Sequence, residues 1–246
     1  MSLQKNMLNQ KNEKEISDIQ KELKKWIDKK YKEQNQKFFK EKILCYGVRA
    51  SKTRKISAKY FSLLKEKSKE DIFKLAEKML QSGYNEEAVI AFDWVYRLRE
   101  NYTRKDWIIF QKWIRLYVDN WAKCDNFCGH ILGYFLEKYP QFVKENKKWA
   151  KNKNRWMRRA SAVSLISLVK QNKKFLEAFE ICDILLEDSD DLTQKGYGWL
   201  LKEMSNINQE KVFLFLQKRK KQMPRTALRY AIEKFPKEKK IVIMQK

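Results

Sequence analysis

Apolar side chains recur every three or four residues along most of the chain. In segment 71–83, Ile72, Leu75, Ala76 and Leu80 follow the spacing i, i+3, i+4, i+8, which lies on one face of a helix. The strict alternation of a β-strand is nearly absent, and only six glycines and three prolines interrupt the pattern. The sequence therefore predicts a protein built almost entirely of helices.

Capping signals mark several helix ends. Ser68 with Asp71 forms a capping box, and Gly83 stands where a helix would end. Asn85 is expected to cap a helix over residues 86–100, and Thr103 with Asp106 is expected to open a helix over residues 106–121. Further helices are predicted over residues 124–138, 140–149, 155–171, 173–187, 190–205, 208–219 and 223–234.

Short loops join these helices, so neighbouring helices should be antiparallel. One helix pair recurs about every 35–45 residues, as in two-helix repeats. We expect an all-α fold, an α-α superhelix (solenoid) of antiparallel helix pairs with HEAT-like repeats, in a single domain over residues 1–246. Residues 1–20 are expected to pack late or to form a mobile arm. A compact helical bundle is the alternative fold, whereas a solenoid would offer a concave surface to a long ligand.

Charge narrows the choice of ligand. The chain has 55 Lys and Arg against 31 Asp and Glu, a net charge of +24. Such a field attracts polyanions, with nucleic acid first and an anionic membrane surface second. The alternative is a lysine-rich composition without a binding role. No apolar run approaches the roughly 20 residues of a membrane helix, and no secretory signal is visible, so we expect a cytoplasmic protein.

The stretch DNWAKCDNFCGH (119–130) raises the question of a metal or thiol site. Cys124 and Cys128 are four residues apart and share a helix face. His130 points to another face and no fourth ligand is near, so a zinc site is not expected. The cysteines are interpreted as reduced packing residues, and we expect no metal and no cofactor.

Three tryptophans stand beside polar or basic residues. Trp121, Trp156 and Trp199 occur in DNWAKCD, KNRWMRR and QKGYGWLLKE. Aromatic rings among cations suit contacts with bases, sugars or backbone. Each one taken alone is more often a core residue.

Cations gather where a helix is predicted to begin at residue 155. They oppose the helix dipole and repel one another. The cations are Lys151, Lys153, Arg155, Arg158 and Arg159. We expect a bound anion such as a DNA phosphate to offset them, with a solvated run of charge as the alternative.

Four stretches in order carry a resemblance to a known family. They are YGVRASKTRK (46–55), NWAKCD (120–125), RWMRRASAV (155–163) and QKGYGWLLKEM (194–204). On these residues the chain resembles the bacterial DNA alkylation repair glycosylases of the AlkD type, over about residues 45–235. That family is built from HEAT-like helical repeats.

The resemblance implies a reaction and a set of residues. Its members remove cationic alkylated purines, such as N3-methyladenine and N7-methylguanine, from duplex DNA in base excision repair. The residues that frame the lesion match Trp121, Asp125 and Trp199, and a DNA-contacting arginine matches Arg159. The position of Arg49 faces the DNA in relatives. Better-known members carry an acid where this chain has an alanine at position 122.

The residues suggest the same chemistry. Asp125 lies one helical turn after Trp121, on the same face, and a carboxylate beside a sugar stabilises oxocarbenium character. The predicted DNA-binding residues are Arg49, Lys153, Arg155, Trp156, Arg158 and Arg159. The expected protein is a monomeric hydrolase that binds double-stranded DNA with alkylated bases. A non-catalytic binder of damaged or branched DNA, and a scaffold for an acidic protein, are the alternatives.

Overall fold

Every regular element in the described residues is helical. A computed structural model describes the backbone of residues 2–245 and the side chains of residues 13–245. The prediction of an all-α fold class is confirmed there. The α-helices are α1 (Ser2–Lys24), α2 (Lys29–Gln36), α3 (Ala50–Phe61), α4 (Lys69–Gln81), α5 (Asn85–Arg97), α6 (Asp106–Tyr117), α7 (Trp121–Asn126), α8 (Gly133–Lys138), α9 (Val143–Lys148), α10 (Arg155–Val163), α11 (Ile166–Lys170), α12 (Phe175–Ile184), α13 (Asp191–Ile207), α14 (Gln209–Arg219), α15 (Arg225–Ala231) and α16 (Lys237–Met244).

The helices fall into two compact units, residues 1–103 and residues 104–246. The expectation of one domain over the whole chain stays a prediction. In the first unit α1 packs against α3 and α4, and its Ile19 and Leu23 are fully buried. The expected arm over residues 1–20 lies partly outside the described residues, because side chains are described only from residue 13 onward.

The predicted helix ends are partly confirmed. The Ser68 hydroxyl accepts a hydrogen bond from the Asp71 N–H at 3.1 Å, and Gly83 has the left-handed φ of +76° that suits a helix end. Asn85 does not cap α5 but is its first residue, and its N–H donates to the Leu44 carbonyl at 2.9 Å. This contact, made by a distant residue, fixes the first turn of α5. The capping residue of α6 is likewise not Thr103, because the helix begins at Asp106 directly after residue 105.

Two buried glutamates of α5 hold the segment that leads into α3. Glu86 accepts hydrogen bonds from the N–H groups of Tyr46, Gly47 and Val48 at 3.0, 2.8 and 3.0 Å. Glu87 accepts one from the Tyr46 hydroxyl at 2.6 Å. Burial and this hydrogen bond raise the pKa of Tyr46. Because a buried carboxylate needs such partners, the two side chains fix the backbone of residues 46–48.

In the second unit α10 packs against both α7 and α13, and α13 also packs against α15. Two glycines on opposite sides of α13 allow these contacts. A Cβ at Gly196 would lie 3.1 Å from Cγ of Arg159 on α10. A Cβ at Gly198 would lie 2.8 Å from the Ala227 carbonyl oxygen and 2.7 Å from the Tyr230 Cβ on α15. The missing side chains therefore let both neighbours approach α13 closely.

Replacement of Gly198 by alanine tests this packing. The added methyl group must push α15 away, so Gly198→Ala should lower the free energy of unfolding by about 1–3 kcal/mol, measured by urea denaturation. Gly129→Ala is the matched control, because nothing lies within 4 Å of a Cβ built there. Equal midpoints for Gly198→Ala and wild type would contradict the packing described.

Candidate functional site

The aromatic and the acid predicted on one helix face lie at the start of α7. The Asn120 side chain caps this helix by accepting from the Lys123 N–H at 3.1 Å. Trp121 is its first residue and Asp125 follows one turn later. Both are half-buried, so one face of α7 presents an indole and a carboxylate to solvent.

Arg159 of α10 holds the Asp125 carboxylate in place. Its Nε donates to Oδ1 and its Nη2 to Oδ2, each at 2.8 Å. Its Nη1 donates to the Leu192 carbonyl at the start of α13. The Arg159 side chain is only 6% exposed, against 19% for Asp125. The carboxylate therefore faces outward while the guanidinium lies behind it in the protein.

The environment of Arg159 stabilises its charge. Burial of the guanidinium acts to lower its pKa, but the hydrogen bonds and the charge of Asp125 outweigh this effect and raise the pKa. A bidentate arginine–carboxylate pair also restricts orientation more than a single contact does. The structure thus gives Arg159 the task of orienting Asp125, and its DNA contact stays a prediction.

Trp199 is the third residue predicted to frame a lesion. It is half-buried on α13, and its Nε1 donates to the Glu203 carboxylate at 2.8 Å. Glu203 also forms an ion pair with Lys170 at 3.4 Å. Sequence reasoning missed Glu203, although its position four residues after Trp199 places it on the same helix face.

The cations at the start of α10 are offset by carboxylates of the chain itself. Arg155 lies 3.3 Å from Asp190. Arg158 forms a bidentate pair with Asp188, at 2.5 and 3.2 Å. Acids of the chain therefore pair with Arg155 and Arg158, and the expectation of a bound anion at this helix start stays a prediction. The acids lie about 30 residues further along the chain, in the loop that leads into α13, so the local sequence does not reveal them.

The remaining predicted DNA-binding residues differ in exposure. Trp156 is buried, with 7% of its surface exposed, and Lys153 is exposed. In the first unit, the Arg49 side chain is 64% exposed and pairs with Asp28 at 2.9 Å. Its guanidinium also lies 5.0 Å from the centre of the Tyr31 ring. Lys153 and Arg49 are thus exposed, whereas Trp156 packs in the core, and DNA contact by these three residues stays a prediction.

An open groove of about 850 Å³ lies in the first unit beside α2. One face of α2 forms a wall, and the segment before α3 supplies an apolar floor. The groove is lined by Lys29, Lys32, Glu33, Gln36, Lys40, Lys42, Ile43, Leu44 and Cys45. Four lysines against one glutamate make the lining of the groove positive.

Comparison with known proteins identifies the family. A family model described as DNA alkylation repair enzyme matches residues 19–235. The chain belongs to the DNA alkylation repair enzyme family. No curated protein matches this family member significantly.

Two solved structures share the fold of this DNA alkylation repair family member. One is a predicted DNA alkylation repair enzyme from Enterococcus faecalis, with a TM-score of 0.77 and 15% identity, covering 85% of this chain and 97% of that one. The other is smu.31 from Streptococcus mutans UA159, with a TM-score of 0.56 and 20% identity, covering 76% of this chain and 96% of that one. At these identities the likeness concerns the fold. In the described part of the chain, no helix is both long and apolar enough to span a membrane.

The cysteines of this DNA alkylation repair family member pack in the core. Cys124 and Cys128 have no exposed surface, and their Sγ atoms are 4.0 Å apart. His130 is exposed, in a π-helical turn between α7 and α8. Among the described residues, no three His, Cys, Asp or Glu side chains gather as a metal site would require. The interpretation of Cys124 and Cys128 as packing residues is confirmed.

The ion pair between Arg158 and Asp188 yields a stability prediction for this family member. Asp188→Asn removes the negative charge that pairs with Arg158, whose side chain is only 18% exposed. It should lower the free energy of unfolding by about 2 kcal/mol, measured by urea denaturation. Asp191→Asn is the control, because its pair with Lys195 is about one-third exposed on both sides. That change should cost at most about 0.5 kcal/mol, and equal costs for the two variants would contradict the difference in burial.

Thiol reactivity tests the placement of the cysteines. Burial raises the pKa of Cys45, Cys128 and Cys182, and the reactive species is the thiolate. In the native protein all four buried thiols should react with an aromatic disulfide reagent at pH 8 far more slowly than free cysteine. All four should react promptly in guanidinium chloride. Rapid reaction of any thiol in the native state would contradict the burial of the four cysteines.

Proposed function

We propose that this chain is a DNA glycosylase that excises cationic alkylated purines, of the N3-methyladenine and N7-methylguanine type, from duplex DNA. The observation that carries the proposal is the outward-facing Asp125 carboxylate held by the buried Arg159. Trp121 shares its helix face, and the family is that of DNA alkylation repair enzymes. The reaction is hydrolysis of the N-glycosidic bond: the base leaves as a neutral molecule with the electron pair of that bond, water adds to the sugar, and the proton that the water loses passes to solvent.

The main contribution that this reaction needs from the protein is electrostatic stabilisation. A purine alkylated at N3 or N7 already carries a positive charge and is a good leaving group, so no strong acid is needed. As the bond breaks, positive charge develops on the sugar, and a nearby carboxylate stabilises it. Arg159 donates one hydrogen bond to each Asp125 oxygen. Since each carboxylate oxygen has two lone pairs, one remains on each for the sugar or for the attacking water.

The two half-buried tryptophans supply apolar and π surface for the damaged nucleotide. In the proposed complex, Trp121 and Trp199 pack on the deoxyribose and backbone and attract the cationic base. The hydrogen bond from Trp199 to Glu203 restricts rotation of that indole. Ordered rings lose less freedom on binding, which favours a defined pose.

Charge supports duplex DNA as the partner. The net charge of +24 and the lysine-lined groove beside α2 favour a phosphate backbone. Binding to phosphates releases counterions, so affinity should fall steeply with salt. The chain would act as a monomer on DNA in the cytoplasm, with neither metal nor cofactor.

A non-catalytic binder of damaged or branched DNA is the second candidate. It is favoured by the close pairing of Asp125 with Arg159, which offsets the negative charge that the reaction uses, and by the alanine at position 122. This candidate predicts salt-dependent DNA binding with no base released.

Replacement of Asp125 by asparagine tests the glycosylase directly. Asp125→Asn keeps the shape and removes the charge that stabilises the oxocarbenium-like sugar. Release of N3-methyladenine and N7-methylguanine from methylated duplex DNA should fall about 10²–10³-fold in single-turnover rate, while DNA affinity changes little. Chromatography of the released bases measures the rate.

Asp191→Asn is the matched control for this test, because Asp191 is an acid about one-third exposed and paired with Lys195. Its rate should equal that of wild type. Equal release by wild type and Asp125→Asn would contradict the role of the carboxylate. DNA binding by wild type without any release would favour the second candidate.

A further inference from the structure

The Leu192 carbonyl is the third partner of the Arg159 guanidinium. In an α-helix the carbonyl of residue 192 also accepts from the N–H of residue 196. A side chain at position 196 would stand beside that carbonyl, as the hydroxyls of helical Ser and Thr do when they bond back to residue i−4. The residue at 196 is Gly196, so this side of the carbonyl is open to Arg159.

The space at Gly196 is filled by the arginine itself. A Cβ built there would lie 3.1 Å from the Arg159 Cγ, 3.4 Å from its Nη1 and 3.5 Å from the Val163 Cγ2. Arg159 has little freedom to move away, since Nε and Nη2 are bound to Asp125 and Nη1 to Leu192. A methyl group at 196 must therefore shift the Arg159 Cγ by a few tenths of an ångström, against the restraint of these three contacts.

We propose that Gly196 is a positioning residue of the site: its missing side chain admits Arg159 to the Leu192 carbonyl and so sets the orientation of Asp125. The inference rests on the proposed glycosylase function and adds a residue to it. Glycine is unfavourable inside a helix, and Gly196 lies within the 17-residue helix α13. Its contact with Arg159 supplies the reason for this choice.

The contact between Gly196 and Arg159 affects both helices that carry the residues of the site. Arg159 joins α7, which carries Trp121 and Asp125, to α13, which carries Trp199. Gly196 and Trp199 are three residues apart and share one side of α13. A displacement of Arg159 therefore changes the orientation of the carboxylate together with the spacing of the two helices.

The experiment compares Gly196→Ala with wild type in the full chain. The single-turnover rate of base release at saturating enzyme should fall about 10–100-fold, as expected when a reacting group is misplaced by a fraction of an ångström to one ångström. The apparent Kd for the DNA should stay within about twofold, because Arg159 is only 6% exposed and the exposed cations Lys153 and Arg49 are untouched. Gly198→Ala is the matched control, since it crowds α15 rather than Arg159, and its rate should stay within about threefold of wild type.

A double-mutant cycle with Arg159→Lys separates positioning from general destabilisation. Lysine keeps the charge but not the planar fork that binds both Asp125 oxygens. If Gly196 acts through Arg159, alanine at 196 should reduce the rate much less in the Arg159→Lys background than in wild type. Equal reductions in both backgrounds, with wild type active, would overturn the positioning role and leave the proposed function standing.

The Arg159 Nε–H gives a readout that does not depend on activity. Its NMR signal, identified by its loss in Arg159→Lys, should be slow to exchange because the group is buried and bonded to Asp125. Gly196→Ala should shift or broaden this signal, and Gly198→Ala should leave it in place. An unchanged signal in Gly196→Ala would overturn the inference. A wild-type chain that releases no base would overturn the proposed function together with the role given to Gly196.

Discussion

The buried guanidinium of Arg159 is the interaction on which the candidate site depends. A charge removed from water is tolerated only when its donors are partnered. Here two donors bind the Asp125 carboxylate and a third binds the Leu192 carbonyl. One side chain of α10 thereby fixes an acid on α7 and the first turn of α13. The exposed side of Asp125 remains available because the arginine approaches from within the protein.

Charge is distributed in two different ways in this basic chain. At the start of α10 the arginines are matched by acids of the same unit, Asp188 and Asp190 among them. These pairs join α10 to the loop before α13, and they add little to the external field. In the first unit, by contrast, four lysines on and after α2 line an open groove. The net charge of +24 therefore explains a general attraction for polyanions. Local ion pairs determine which individual cations are available to bind a polyanion.

The close packing of helices is a second constraint on the structure. Two glycines of α13 make this packing possible. Gly196 admits the arginine on one side and Gly198 admits α15 on the other. In the first unit the close contact is electrostatic, because Glu86 collects three backbone N–H groups before α3. In each case a residue that costs stability in isolation, a helical glycine or a buried acid, is compensated by a specific partner from a distant part of the chain.

Sequence patterns predicted the features that depend on neighbours within about one helical turn, namely the helices, their ends and the residues that share a face. The apolar period predicted the helices, Ser68 and Gly83 marked the ends of α4, and the four-residue spacing put Trp121 and Asp125 on one face. Only the tertiary structure decided the partners of Arg158 and Arg159, the burial of Trp156, the start of α5 and the contact at Gly196. These depend on residues about 30 or more positions apart, whose distance is set by how helices pack and not by any local pattern.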